Sequence, residues 1–166
     1  MTRKIPQAVQ DVNVYIDGRG HLGNIKNLKL PDFTQEMIEA KGGISTKYAN
    51  GSIAASELTF KMNVIDAELY WSYGLNTFVN RVPLVIKGSI YQDTKSLPLV
   101  AIITGDFVSV SPAEIEAGKE VEVDVKLSVH FYELMVDNKQ AVLFDTKNTI
   151  CLIGGVDYFA QMRDNL

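Results

Sequence analysis

Residues 120–131 read Glu-Val-Glu-Val-Asp-Val-Lys-Leu-Ser-Val-His-Phe. Successive side chains of a strand point to opposite faces of a sheet. Val121, Val123, Val125, Leu127, Val129 and Phe131 therefore share one face, and Glu120, Glu122, Asp124, Lys126, Ser128 and His130 share the other. The pattern predicts a strand roughly twice the usual ~5–6 residues. Its register is locked, because a slip of one residue would bury the charged row. Such a strand requires a sheet with one dry and one wet face.

The rest of the 166-residue chain reads as mostly β. Residues 1–10 form a polar arm containing Pro6. Val12, Val14 and Ile16 alternate up to Asp17-Gly18-Arg19-Gly20, which has hairpin-turn chemistry. Residues 33–40 suit either a short helix or a strand and end at Gly42-Gly43. From Gly42 to Ser56 the chain is rich in Gly, Ser, Ala and Asn and shows little period. A loop that long in a compact domain is functional or disordered. Leu58, Phe60, Met62 and Val64 alternate again. Asp66 then caps a short helix carrying Ile65, Leu69 and Tyr73, with Gly74 at its end, and Trp71 serves in core or interface packing. Strands follow around 84–91 and over 97–110, then the 120–131 strand running on toward Val136, and Ala141–Asp145 after the turn at Asp137-Asn138. Phe159, Met162 and Leu166 fall on one side of a second, C-terminal helix.

Composition excludes several classes. A net charge of −4 and a pI near 5.2 argue against a groove that grips nucleic-acid phosphates. No apolar run approaches the ~18 residues of a membrane helix. The basic start lacks an apolar stretch behind it, so no secretory signal is expected. The single cysteine, Cys151, sits among Ile150, Leu152 and Ile153 and reads as a buried small hydrophobe.

Catalysis finds no foothold. Gly18-Arg19-Gly20-His21-Leu22-Gly23 matches G-x-G-x-x-G, but Pro31 cuts short the helix that a dinucleotide site needs, so the glycines read as a turn. Glu120, Glu122 and Asp124 stand about 7 Å apart along a strand face, an open and solvated spacing. His21 and His130 have no partners at metal-ligand spacing, and neither metal nor cofactor is expected.

The order of elements, by contrast, resembles a known family. It is carried by Phe131-Tyr132-Glu133-Leu134-Met135-Val136-Asp137, Phe144-Asp145-Thr146-Lys147-Asn148 and Gly154-Gly155-Val156-Asp157. Earlier in the chain it is carried by Asp17-Gly18, Gly42-Gly43 and the Leu58-Thr59-Phe60 strand feeding the Asp66 helix. Together these are similar to the major tail tube proteins of contractile-tailed bacteriophages and phage-tail-like bacteriocins.

The resemblance implies one domain over 1–166, a β-sandwich- or barrel-like, non-enzymatic subunit. Its strands would merge with those of other copies into a shared barrel in a hexameric ring, and rings would stack inside a contractile sheath. Self-association, the sheath protein, baseplate or tube-initiator and terminator proteins, and a tape measure protein in the lumen are the implied partners. DNA would pass only transiently, without membrane contact, in a virion or bacteriocin tail built in the host cytoplasm. Gly42, Gly43, Ile44, Ser45, Thr46, Lys47, Tyr48 and Asn50 would reach an adjacent ring. Glu120, Glu122, Asp124, Lys126 and Ser128 would line the lumen as a dense negative wall. Two other classes stay open: the tube of a type VI-like secretion or contractile injection system, and a monomeric β-barrel binding module.

Overall fold

Alternating apolar residues, positive-φ turns and few helix formers produce an antiparallel β protein. The computed structural model describes residues 4–20, 24–78, 81 and 83–166, so His21, Leu22 and Gly23 lie outside the described residues. The strands are β1 (Ala8–Ile16), β2 (Arg19–Gly20), β3 (Ile25–Lys29), β4 (Gln35–Ala40), β5 (Thr46–Ile53), β6 (Glu57–Met62), β7 (Leu84–Gln92), β8 (Lys95–Pro112), β9 (Val123–Val136), β10 (Lys139–Asp145), β11 (Ile150–Ile153) and β12 (Val156–Asp157); the helices are α1 (Ala67–Phe78) and α2 (Ala160–Asp164). Ten strands form one sheet in the order β12-β11-β10-β9-β8-β7-β1-β2, with β6 added beside β9 and β3 beside β6; β4 and β5 pair only with each other.

The order follows from β9. One edge of β9 pairs with β8 along nearly its whole length, from Val123 to Val136. The other edge is divided: Val123–Ser128 pairs with β6 and Phe131–Val136 with β10. The sheet therefore forks, and its β3–β6 limb curls until β3 touches β1. Val14, Ile16, Leu58, Phe60, Met62, Leu84, Ile86, Ile103, Val125 and Leu127 fill the interior, closed from below by Leu69 of α1. Each fully buried side chain of this kind contributes about 1.5–3 kcal/mol.

The β9 alternation holds only in part. The strand begins at Val123, so Glu120, Val121 and Glu122 lie in its approach. Thr104 pairs with Phe131 and Gly105 with Val129, which leaves His130 as an extra residue in β9. A bulge of this kind shifts the side chains beyond it by one place. Phe131 therefore leaves the inner face and Tyr132 is buried instead. A second bulge, at Val108 of β8 between the Phe107–Leu127 and Ser109–Lys126 pairs, leaves Val108 half-exposed and returns Val110 to the core.

Close approach at the first bulge requires glycine: a Cβ on Gly105 would stand 1.9 Å from the Ser128 carbonyl oxygen. Past Ile103 the β8 edge outgrows β7, and α1 covers it. Buried Asn76 there donates from Nδ2 to the Gly105 carbonyl (2.9 Å) and accepts from the Phe107 N–H (3.0 Å), standing in for a strand.

The other elements follow local chemistry. The Asp66 carboxylate accepts the Glu68 N–H at 2.9 Å and opens α1, which runs past Gly74 to Phe78. Trp71, expected in core or interface packing, is two-thirds exposed (66%) and so lies outside the core, because among the described side chains of α1 Leu69 and Asn76 are the ones turned fully inward. Asp17 (φ 51°) and Gly18 (φ 75°) make the β1–β2 turn, so the described part of the glycine motif, Gly18–Gly20, belongs to a hairpin as expected. The N-terminal arm is shorter than 1–10, since Ala8 and Val9 already pair with Tyr91 and Ile90. The C-terminal helix ends at Asp164, so Leu166, expected on one helical side with Phe159 and Met162, lies beyond it and is fully exposed.

Replacing Asn76 with alanine should leave two buried backbone groups unpaired, at a cost of about 1–3 kcal/mol each. Urea denaturation should show a lower midpoint with an unchanged slope.

Candidate functional site

Two surfaces stand apart from the core. The first is the β4–β5 hairpin. The segment 42–56, expected as a loop without pattern, is instead a tip at 41–45 followed by strand β5, and the ambiguous 33–40 segment supplies its partner, β4. The period is hidden because both faces of the hairpin are exposed, so no burial imposes an alternation. Thr46, Lys47, Tyr48 and Asn50 lie on β5, whereas Gly42, Gly43, Ile44 and Ser45 form the tip.

The root of the hairpin is fixed. Phe33 stacks on Tyr132 (centroids 5.7 Å apart) and meets Phe144 edge-on (6.1 Å), while the Ala54 N–H donates to the Thr34 carbonyl at 2.8 Å. Burial pushes the Tyr132 phenol up to about 12. Beyond that root Met37, Ile38, Ile44 and Tyr48 are all exposed, Ile44 by 90%. An isolated two-stranded hairpin is marginal in water, and apolar residues on both of its faces call for a partner surface. An apolar groove of about 200 Å³ flanks the root, lined by Ile53, Phe144, Phe159 and Met162.

The second surface is the outer face of β3, β6 and β9. Glu120, Glu122, Asp124, Lys126 and Ser128 do share it, but not as a bare negative strip. Lys26 meets Glu120 at 2.5 Å, Lys61 lies 3.4 Å from Glu122 and 3.6 Å from Asp124, and Lys126 reaches Glu57 at 3.0 Å. The expected negative wall is thus a lattice of alternating charge. The reason is cross-strand: β6 places Lys61 directly opposite Asp124, and β3 brings Lys26 alongside. Lys61 is held above the usual lysine range by Asp124 and Glu122, and Glu120 below the usual carboxylate range by hydrogen bonds from Lys26 and Asn63. Exposed pairs of this kind add only ~0–1 kcal/mol each, so the lattice sets surface charge and leaves stability to the core.

Where that face meets the β9 bulge, Asp106 binds Arg81 Nε at 2.9 Å and His130 Nε2 at 2.8 Å, and both partners, Arg81 first, hold its carboxyl below the ordinary range. Sequence reading missed this cluster, because the bulge that assembles it leaves no trace in the alternation. Among the described residues no group of three His, Cys, Asp or Glu is placed to hold a metal ion, and no helix is long and apolar enough to cross a membrane.

A model of the phage tail tube protein FII family matches residues 6–166. The chain belongs to that family. Among curated members the tail tube protein of Escherichia phage P2 is 23% identical over 98% of both chains. The major tail tube protein of Serratia phage KSP20 is 24% identical over 88% of this chain and 86% of its own. Solved structures with the same fold include the sheath/tube terminator of an extracellular contractile injection system (15% identity, 81% of this chain, 99% of that chain, TM-score 0.57). Another is the tube-terminating cap of the anti-feeding prophage (13% identity, 81% of this chain, 94% of that chain, TM-score 0.58). The mainly β, two-helix architecture expected of a tail tube protein is the one observed.

In this tail tube family member the C-terminus is clamped beside the hairpin root. Asp157 accepts from Arg163 Nη2 (2.5 Å) and from the Phe159 and Cys151 N–H groups, and Arg163 also donates to the Thr149 carbonyl at 2.7 Å. Arg163 above all holds the Asp157 carboxyl below its ordinary value, while burial, and then Asp157, push the Cys151 thiol up. A depressed native carboxylate contributes stability that is fully present above its unfolded value of ~3.9 and lost as pH falls through the native one. Acid titration followed by amide exchange should therefore show 157–166 intact down to about pH 4 and loosening below it. Asp157→Asn should be loosened already at neutral pH and lose that acid dependence.

Proposed function

We propose that this chain is the subunit of the inner tail tube of a contractile phage or phage-tail-like particle, assembled as hexameric rings stacked into a conduit for DNA or ions. The observation that carries the reading is the family match over residues 6–166, joined to a hairpin whose two faces both expose apolar side chains. Head-to-tail contacts between identical copies generate rings and open stacks. Within them the hairpin, with Gly42–Ser45 at its tip and Thr46, Lys47, Tyr48 and Asn50 on β5, reaches the next ring. The role is structural, with no enzymatic step. Sheath, baseplate or initiator, terminator and tape measure proteins are the partners, in a tail assembled in the host cytoplasm. An injection-system tube is the runner-up, supported by fold likeness to such particles.

In this reading the face holding Glu120, Glu122, Asp124, Lys126 and Ser128 lines the lumen. Its alternating charge gives a passing polyanion neither a basic track to adhere to nor a strong repulsive field beyond a Debye length of ~8 Å. The wall is hydrated and nearly neutral.

The test is replacement of Gln35–Ile53 by a short Gly-Ser link. No buried core residue lies in that stretch, and loop length costs little free energy, so the thermal midpoint of the subunit should barely move. Negative-stain microscopy of the wild-type protein should show rings and tubes, and the variant should form no long tubes. Tubes of normal length from the variant would place the inter-ring contact elsewhere.

A further inference from the structure

Opposite Glu36 the hairpin ladder is interrupted. Gln35 pairs with Ile53 and Met37 with Ala49, so Asn50, Gly51 and Ser52 stand against one residue of β4. Gly51 adopts φ +84° within this three-residue bulge, with open space where a Cβ would lie. The Ser52 N–H donates to Asn50 Oδ1 at 2.8 Å, and Asn50 Nδ2 donates to Glu36 Oε2 at 3.4 Å. Asn50 is also the one asparagine of the chain that precedes a glycine; Asn63, Asn138 and Asn148, for example, precede Val64, Lys139 and Thr149.

We propose that Asn50 is a site of spontaneous, water-consuming modification that limits how long a free subunit stays competent to assemble. The nucleophile is the Gly51 backbone nitrogen, and glycine has no side chain of its own to hinder the approach. After giving its proton to solvent base it attacks Asn50 Cγ, a carbon made more electrophilic by the Ser52 N–H bonded to its oxygen. The N–Cγ bond forms, the Cγ–Nδ2 bond breaks, and the nitrogen takes up a proton and leaves as ammonia. Water then opens the cyclic imide at either carbonyl, giving aspartate or isoaspartate. Nothing is oxidised or reduced, and apart from the water consumed the step needs only hydroxide or a buffer base.

Both products damage the hairpin. A carboxylate at position 50 faces the Glu36 carboxylate where an amide donated before, and like charges across a strand pair destabilise it. Isoaspartate adds a carbon to the backbone, which moves Thr46–Ala49 out of register with β4. The consequence for assembly rests on the hairpin contact proposed above; the modification itself rests on Asn50 alone.

The experiment is peptide mapping by mass spectrometry of purified subunit held in mildly alkaline buffer. The peptide containing Asn50 should gain the mass of an amide-to-acid exchange, and split into two product isomers, ahead of every other asparagine. Asn50→Gln, whose longer side chain disfavours ring closure, should lose that signal while folding normally. Asn50 remaining intact after Asn138 or Asn148 has converted would overturn the site. Asn50→Asp, mimicking one product, should lose tube formation; normal tubes from it would overturn the limit on competence. The same peptide from assembled tubes reads the hairpin contact separately. Slower conversion there supports both readings, while equal conversion supports the site and removes the contact.

Discussion

The β8–β9 pairing is the constraint on which the rest of the structure depends. An 18-residue strand lies along a 14-residue one; β7 joins the outer edge of the first, β6 and β10 share that of the second, and the remaining main-sheet strands are added onto these. Two bulges, at His130 and Val108, decide which side chains face in. Without the first, Phe131 would be buried and Tyr132 exposed, and Phe33 would lose the ring that holds the hairpin root. The Gly105 requirement and the Asn76 bonds belong to the same device: one permits the close approach, the other covers the backbone groups left where β8 outgrows β7.

That ribbon also organises the surfaces available to other copies. Its outer face carries the charge lattice at the β6 end and a half-buried apolar belt, including Val100, Ile102 and Phe131, toward β10. The sheet leaves open edges. Among the described residues, β1 has β7 on one side between Ala8 and Val14, while β2 covers the other side only at Tyr15 and Ile16. Exposed edges are a hazard in an isolated protein, and closing them against further strands removes it. In the proposed tube, further copies of the chain would supply those strands.

Much of this was legible in the residues. The alternations at 58–62, 84–91 and 123–129 impose strands because one face of each is buried, and Asp17-Gly18 and Asp137-Asn138 impose turns through positive φ. The helix start at Asp66 was equally plain. The hairpin strand β5 was not, since a strand exposed on both faces carries no burial period. Nor were the bulges, which are set by how two strands meet. For the candidate site, the shared face of Glu120 to Ser128 followed from period two. Its neutralisation by Lys26 and Lys61 depended on which strands lie beside β9, a property of topology.

The central claim is that the open edge of this sheet is completed by another copy of the chain. Amide hydrogen exchange on free subunits and on assembled tubes tests it most directly. Amides of Ala8–Val14 that point away from β7 should exchange rapidly in the free subunit and become strongly protected in tubes, while β8 and β9 are protected in both. Equal, rapid exchange of those amides in tubes would contradict the account.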